Sequence, residues 1–545
     1  MATTIAGGGN SSPQAKGVAY GSKITSSNFQ FLLPEHDSVY ARNKITIQNH
    51  SYGTTIQNYY GAEAGAYDGS TGSNRALLHI FSSGNSGAAT TGTYAGDFGN
   101  LTGNFKMAKN AIVVGAIDSF YTVAPLSSKG PAYDGRVKPE LVAFGEDGSS
   151  GAAAMVSGAG ALLQQAYKDL HHDSLPSSSL MKAVLINSAD DIGTPGPDFT
   201  AGYGSLNVHA AVNTVARGRT HQDIISSGET KSVIINVPAN TSRLKITLCW
   251  ADPPATPNAA KALINNLDGV LKFTAGAEWH PWVLNTKRNR DSLTLPAIRG
   301  VDTLNNTEQI TVDHPVAGAY TFIITGSSVI GSQGYSFAYQ LETANAFEWT
   351  FPTSNDGVQA ATGSVLRWLT TKSGGGLLQW TGNGTTWNNI GTVDDVAKGF
   401  YSWNTPDSVT TALLRMQFAG TTNVISDTFV ISRPVQMEAG FVCRDSFLLY
   451  WNRLPVSAYQ LYELGNKYLQ PFAALADTFA VLNKAAHPSV YYSIAPLVNG
   501  KPGLKSSAFN YHGSGVGCYF KSFFLQTQDS RKATFTASVG TLYHI

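Results

Sequence analysis

Charge is scarce in this chain. Only 13% of its 545 residues are Asp, Glu, Lys or Arg, and 37 basic against 36 acidic residues leave a formal net charge of +1. No strong field of either sign exists to draw a polyanion, so nucleic acid and anionic membrane surfaces are not expected partners. Long apolar runs are also missing, and nothing approaches the roughly 18 consecutive apolar residues of a spanning helix. The N-terminus, Met1-Ala2-Thr3-Thr4-Ile5-Ala6-Gly7-Gly8-Gly9, has neither the basic start nor the apolar core of a signal peptide. Cysteine is limited to three residues. Cys249 lies in the apolar run Leu244–Trp250 and reads as a buried thiol. Cys443 and Cys518 flank one C-terminal module, where a disulfide and free thiols are both open. The odd count leaves at least one cysteine unpaired within the chain.

Small residues are abundant instead, with 55 glycines. At about 100–200 residues per domain, the length allows roughly three to five domains. The most informative stretch is Asp147-Gly148-Ser149-Ser150-Gly151-Ala152-Ala153-Ala154-Met155-Val156-Ser157-Gly158. Glycines and small hydroxyls come first, and a helix-compatible run of Ala, Met, Val and Leu follows. A serine at such a helix start sits where unpaired N–H groups and the positive end of the dipole converge. Those groups can stabilise an oxyanion beside an attacking hydroxyl. The alternative is an N-capping serine before a small-residue core helix.

This stretch resembles, without a gap, the nucleophile segment of the subtilisin-like serine peptidases (subtilases), Gly-Thr-Ser-Met-Ala-x-Pro-x-Val-x-Gly. Gly148 matches the first Gly, Ser149 the Thr, Ser150 the nucleophile, Ala152 the Ala and Gly158 the last Gly. Gly151 stands at the Met and Ala154 at the Pro. Further blocks follow the family order. Residues 1–22, with Ile5-Ala6-Gly7 and then Gly17-Val18-Ala19, are similar to the segment just after the family's His-Gly-Thr-His motif, a helix ending Ile-Ala-Gly followed by Gly-Val-Ala. On that alignment the histidine and the aspartate strand are expected upstream of Met1, and no His-Gly-Thr-His occurs in the chain. The twelve histidines are scattered, and a surface or satisfied polar role is the expectation for each.

Lys44–Asn49 alternates as a strand should and runs into His50-Ser51-Tyr52-Gly53, similar to the family's Ser-x-Gly strand that pairs with substrate backbone. Ala76–Phe81 is a short buried-type strand leading to Ser82-Ser83-Gly84-Asn85, similar to the Ala-x-Gly-Asn block. There the resemblance makes the Asn85 side chain an oxyanion-hole donor, where an ordinary turn is the other reading. Ser51, Tyr52, Gly53, Ser82, Ser83 and Gly84 are then expected to line the substrate cleft. Ser127–Pro131, Lys138–Ala143 and Gly202–Ala211 resemble later family blocks, so the collinear likeness covers about 200 residues.

Strands and helices alternate through residues 1–217, as in an α/β doubly wound, mostly parallel sheet. From about residue 220, short alternating runs separated by Gly, Pro and Asn turns predict all-β sandwich modules. Residues 218–345 resemble the jelly-roll that follows some subtilase domains, carried by Trp250-Ala251-Asp252-Pro253-Pro254, Leu263–Asp268 and Asn305–Gln309. Residues 346–435 look like an immunoglobulin-type sandwich and 436–512 like a fibronectin type III module. A further β pattern, incomplete, begins at 513 and runs to 545. No cofactor is expected. Oxygens of Asn266, Asp268 and Glu308 could hold calcium, or could serve as polar turn residues.

Two functions from different classes follow. The first is a secreted or cell-surface serine endopeptidase acting on protein or peptide substrates through an acyl-enzyme on Ser150. The 545 residues alone lack the histidine and aspartate of the triad and are expected to be nearly inactive. The alternative is a non-catalytic surface or adhesion protein, with a degenerate peptidase domain and β modules that bind cell-surface or polymer partners.

Overall fold

Four parallel strands form the first sheet in the order β1 (Ile47–His50), β2 (Leu78–Ser82), β3 (Ile112–Ile117) and β4 (Leu141–Phe144). The computed structural model describes the chain apart from residues 29, 92, 95, 421–422, 518–521, 530–531 and 539–545; the side chains of 516, 522–529 and 532–538 are also undescribed. It divides into two units, Met1–Gly7 with Gly17–Ala344, and Gly8–Lys16 with Asn345–Ile545.

The sheet is covered on both faces. Leu78 and Ile80 of β2, Ile112 and Val114 of β3, and Leu141 of β4 point to one side. There they meet Ala152, Ala153, Val156 and Leu163 of α4 (Ser149–Leu170) and Leu180, Val184 and Leu185 of α5 (Ser178–Asn187). Phe81 and Val113 point to the other side, against Tyr60, Phe105 and Met107 and against Ala64 and Tyr67 of α3 (Ala62–Ser73). That alternation is the two-residue period of a strand buried on both sides. Each large apolar side chain so covered contributes about 1.5–3 kcal/mol. The α/β doubly wound parallel sheet expected from the sequence is therefore present.

Antiparallel pairing takes over after α6 (Val208–Ala216). The strands are β5 (Thr220–Ser226), β6 (Thr230–Val237), β7 (Thr241–Trp250), β8 (Asn266–Phe273), β9 (Glu278–Trp279), β10 (Trp282–Val283), β11 (Ile298–Arg299), β12 (Thr307–Asp313), β13 (Gly318–Ser328) and β14 (Ser332–Thr343). Eight of them build two four-stranded sheets, β12-β7-β14-β5 and β6-β13-β8-β9, around a core that includes Leu248, Trp250, Leu271, Phe322 and Phe337, and β10 pairs with β11. Cys249 faces outward from that core into the α5 side, is a fully buried free thiol as expected, and is pushed up to about 11 by burial. In the second unit, strands between Phe347 and Ser432 surround Trp368, Trp403 and Leu414, and those between Met437 and Asn510 surround Phe447, Trp451 and Tyr492. The sequence leaves open whether Cys443 pairs with Cys518, and Cys518 lies outside the described residues.

Glu308 on β12 carries a testable cost. Its Oε2 accepts the Gly269 N–H at 2.7 Å, while its buried Oε1 has no partner. Burial, reinforced by Asp302 and Asp268, holds its carboxyl well above the ordinary range. The folded protein thus keeps a proton that the unfolded chain releases above about pH 4.3. Stability from this group is complete below that pH and is lost as pH rises through the folded value. Glu308→Gln should therefore stabilise the protein at neutral pH by about 1–3 kcal/mol, and by nothing near pH 4. Thermal melts across that pH range in the presence of a chelator check it.

Candidate active site

Parallel strands leave a crevice at their carboxyl ends, which is where such sheets hold ligands. Three of these ends converge here. Ser51–Gly53 leave β1, Ser82–Asn85 leave β2, and Gly145–Gly148 carry the chain from β4 into α4. Gly148 takes φ 94° and ψ −165°, a conformation that only glycine adopts readily, so that Ser149 and Ser150 begin a 22-residue helix at the crevice. A methyl on Gly148 would sit 2.8 Å from Asn85 Oδ1. Gly148→Ala is expected to cost about 1–3 kcal/mol and to displace Asn85. A lowered melting point together with lost reactivity at Ser150 would show it.

The orientation of Asn85 is fixed by Ser149. The Ser149 N–H and O–H both donate to Asn85 Oδ1, at 3.0 and 2.9 Å, while Ser149 Oγ accepts the Gly84 N–H at 3.0 Å. A backbone N–H can only donate, so the amide oxygen must face Ser149. The Asn85 NH2 then faces away from it, and Asn85 is exposed. Ser149 is buried and Ser150 half-buried. The Ser150 N–H lies in the first turn of α4, where no intrahelical carbonyl is available to it. The Ser150 hydroxyl has no hydrogen-bond partner among the described residues. Its carbonyl accepts from Ser51 Oγ at 2.9 Å, and Ser51 in turn accepts from Asn49, whose oxygen accepts from Ser157 on α4. This chain ties β1 to the helix that carries Ser150.

No histidine bonds Ser150 among the described residues. His50 and His79 lie closest in sequence to the cleft blocks, and both are buried. His50 Nδ1 meets the Tyr52 hydroxyl at 2.9 Å, its Nε2 meets His79 Nδ1 at 3.1 Å, and its ring stacks on Phe81. His79 Nε2 meets Ser70 at 3.2 Å. Burial pushes His79 down to about 3 and His50 well below its ordinary value, so both are uncharged. They are satisfied core groups.

The structure thus brings Ser51–Gly53, Ser82–Asn85 and Ser150 to one crevice. Asn266 and Asp268 share β8, where Asn266 Nδ2 bonds Asp268 Oδ1 at 3.2 Å, and Glu308 stands on β12. Among the described residues no group of three or more His, Cys, Asp or Glu is arranged to hold a metal ion. Three residues escaped the sequence reading: Ser149 as the anchor of Asn85, and Thr102 with Lys106. Lys106 has no acidic neighbour in sequence to mark it.

Residues 1–204 match the model of the subtilase family. A curated relative from Dictyostelium discoideum, the serine protease/ABC transporter B family protein tagA, is 29% identical over 264 residues, covering 38% of this chain and 15% of the relative. The protein tagB of the same organism and description is 26% identical over 373 residues, covering 50% of this chain and 19% of the relative. The chain therefore spans less than a fifth of the length of either. Among solved structures, tripeptidyl peptidase 2 aligns over 90% of this chain and 50% of its own, at 13% identity and a TM-score of 0.30. A two-domain fibronectin type III segment of chicken tenascin aligns over 30% of this chain and 98% of its own, at 15% identity and a TM-score of 0.21. No helix among the described residues is long and apolar enough to cross a membrane. The crevice geometry and the family match agree: residues 1–204 are a domain of the subtilisin-like serine protease family.

Proposed function

We propose that this domain is the nucleophile-bearing part of a serine endopeptidase. Ser150 Oγ attacks the scissile carbonyl as a general base removes its proton. The oxyanion is held by the Asn85 NH2 and the Ser150 N–H. The base then hands its proton to the departing amine, and water resolves the acyl-enzyme. Substrate backbone lies along Ser51–Gly53 and Ser82–Gly84. The observation that supports this most is the Asn85 amide, whose oxygen is held by two donors from Ser149 so that its NH2 faces away from that residue.

The general base and the carboxylate that orients it are assigned to a segment outside these residues, because the Ser150 hydroxyl has no partner among the described residues. Secretion or a cell-surface location goes with this reading. No cofactor enters the chemistry. Calcium held by Asn266, Asp268 and Glu308 would reveal itself as a calcium-dependent rise in melting temperature that Glu308→Gln abolishes.

That no histidine bonds Ser150 among the described residues favours a second reading, a non-catalytic surface or adhesion protein whose β modules bind partners. A fluorophosphonate probe separates the two. The 545 residues are compared with a form extended through the neighbouring upstream coding sequence, each beside its Ser150→Ala variant. Labelling of the extended wild type and not of its variant supports the peptidase. A folded extended form that is never labelled supports the second reading.

A further inference from the structure

A buried lysine lies behind the proposed substrate cleft. Lys106, on the 3-10 turn Asn104–Met107, is fully buried, and its ammonium donates to a single partner, Thr102 Oγ1, at 2.7 Å. Lys109, by contrast, is set against Asp252, Arg136 against Asp134, and Lys138 and Lys182 against Glu140. Lys106 has no carboxylate partner among the described residues, and burial alone drives it down to about 7. An unpaired buried charge is unfavourable in the free protein, and an apolar residue would fill the same space at less cost.

Thr102 places that charge in the cleft. A methyl on Gly53 would sit 2.4 Å from Thr102 Oγ1, and a methyl on Gly84 also 2.4 Å from it. The hydroxyl therefore stands between the two glycines that end the cleft walls. Thr102 Oγ1 accepts from Lys106, so its own proton points elsewhere, and it has no acceptor among the described residues. The remaining N–H groups of Lys106 have none either. The donors left open between the walls are the Thr102 hydroxyl and the Lys106 ammonium behind it, while the Thr102 carbonyl beside them already accepts the Thr54 N–H. A carboxylate satisfies that set, and charge-assisted hydrogen bonds are the strong ones. A carboxamide satisfies it without neutralising the charge, and a cationic side chain meets repulsion.

We propose that the gap between Ser51–Gly53 and Ser82–Gly84 selects an acidic residue of the substrate peptide, an Asp or Glu whose carboxylate completes the Thr102–Lys106 pair. This rests on the peptide-cleft reading above and adds the substrate class to it. Lys106 is a specificity-determining residue on this view.

The test needs binding and not turnover. Four fluorescent peptides of one sequence, ending in Glu, Gln, Leu or Lys, are titrated by anisotropy into the 545-residue chain. The Glu peptide should bind at least about tenfold more tightly than the Gln peptide, with Lys weakest. Lys106→Met and Thr102→Val should both collapse the Glu-to-Gln ratio toward one, a readout that a merely structural role would not move. Circular dichroism confirms folding of each variant. Equal binding of Glu and Gln by the wild type, or an unchanged ratio in both folded variants, overturns the proposal and leaves the cleft reading standing. Failure of every peptide to bind overturns the cleft reading and this proposal with it.

Discussion

Asp252→Ala is expected to destabilise the first unit by about 3–5 kcal/mol, seen as a lower denaturation midpoint. Asp252 and Lys109 form an ion pair with both side chains fully buried. The carboxylate also accepts the N–H groups of Ile264 and Asn265, at 2.9 and 2.7 Å. Lys109 additionally donates to the carbonyls of Pro253 and Ala262. Alanine would strand the ammonium and two backbone donors in one place. Most of the cost comes from the charge left behind, since removing one partner of a buried pair is far worse than removing both. The double variant Asp252→Ala with Lys109→Met should therefore recover part of the loss. Asp252→Asn should fall between, since its oxygen can still serve a backbone N–H. If the single alanine variant melts as the wild type does, the pair is not structural.

Asn85→Ala should lower the reactivity of Ser150 by about a hundred- to a thousandfold, the usual effect of losing one oxyanion donor. The rate of fluorophosphonate labelling, in whichever form of the chain is labelled, measures it. Alanine also removes the acceptor of Ser149, so a second substitution separates position from chemistry. Asn85→Asp keeps an oxygen toward Ser149 and puts a negative oxygen where the NH2 was. It should preserve the fold and abolish reactivity at least as completely. Ser149→Ala should act more mildly, because it loosens Asn85 without removing the donor. An Asn85→Asp variant as reactive as the wild type would show that this amide does not face the developing charge.

The proposed catalytic parts of the crevice were legible because their chemistry is written in local sequence. Gly148-Ser149-Ser150 opens a helix whose first turn exposes N–H groups, and the strand-then-glycine pattern of Phe81–Asn85 ends a buried strand at a sharp turn. The parallel sheet was legible for a similar reason: Ile112–Ile117 is a continuous run without polar residues and Leu78–Phe81 is broken only by His79, as suits strands covered on both faces. The histidines were legible only in part. That they are scattered is visible in the chain, but that His50 and His79 are buried together 29 residues apart required the pairing of β1 with β2.

The sequence by itself determined the α/β arrangement of the first 217 residues, the change to β structure near residue 220, and the candidate nucleophile Ser150 with its companion Asn85. Local propensity and two- or four-residue spacing carry that information. Only the tertiary structure decided which way the Asn85 amide faces, because Ser149 lies 64 residues away and fixes it through space. Only the structure decided that Asp252 answers Lys109 across 143 residues while Lys106 is answered by no acid among the described residues. A charge acquires its energy from the dielectric and the neighbours that folding gives it, and neither is present in the order of residues along a chain.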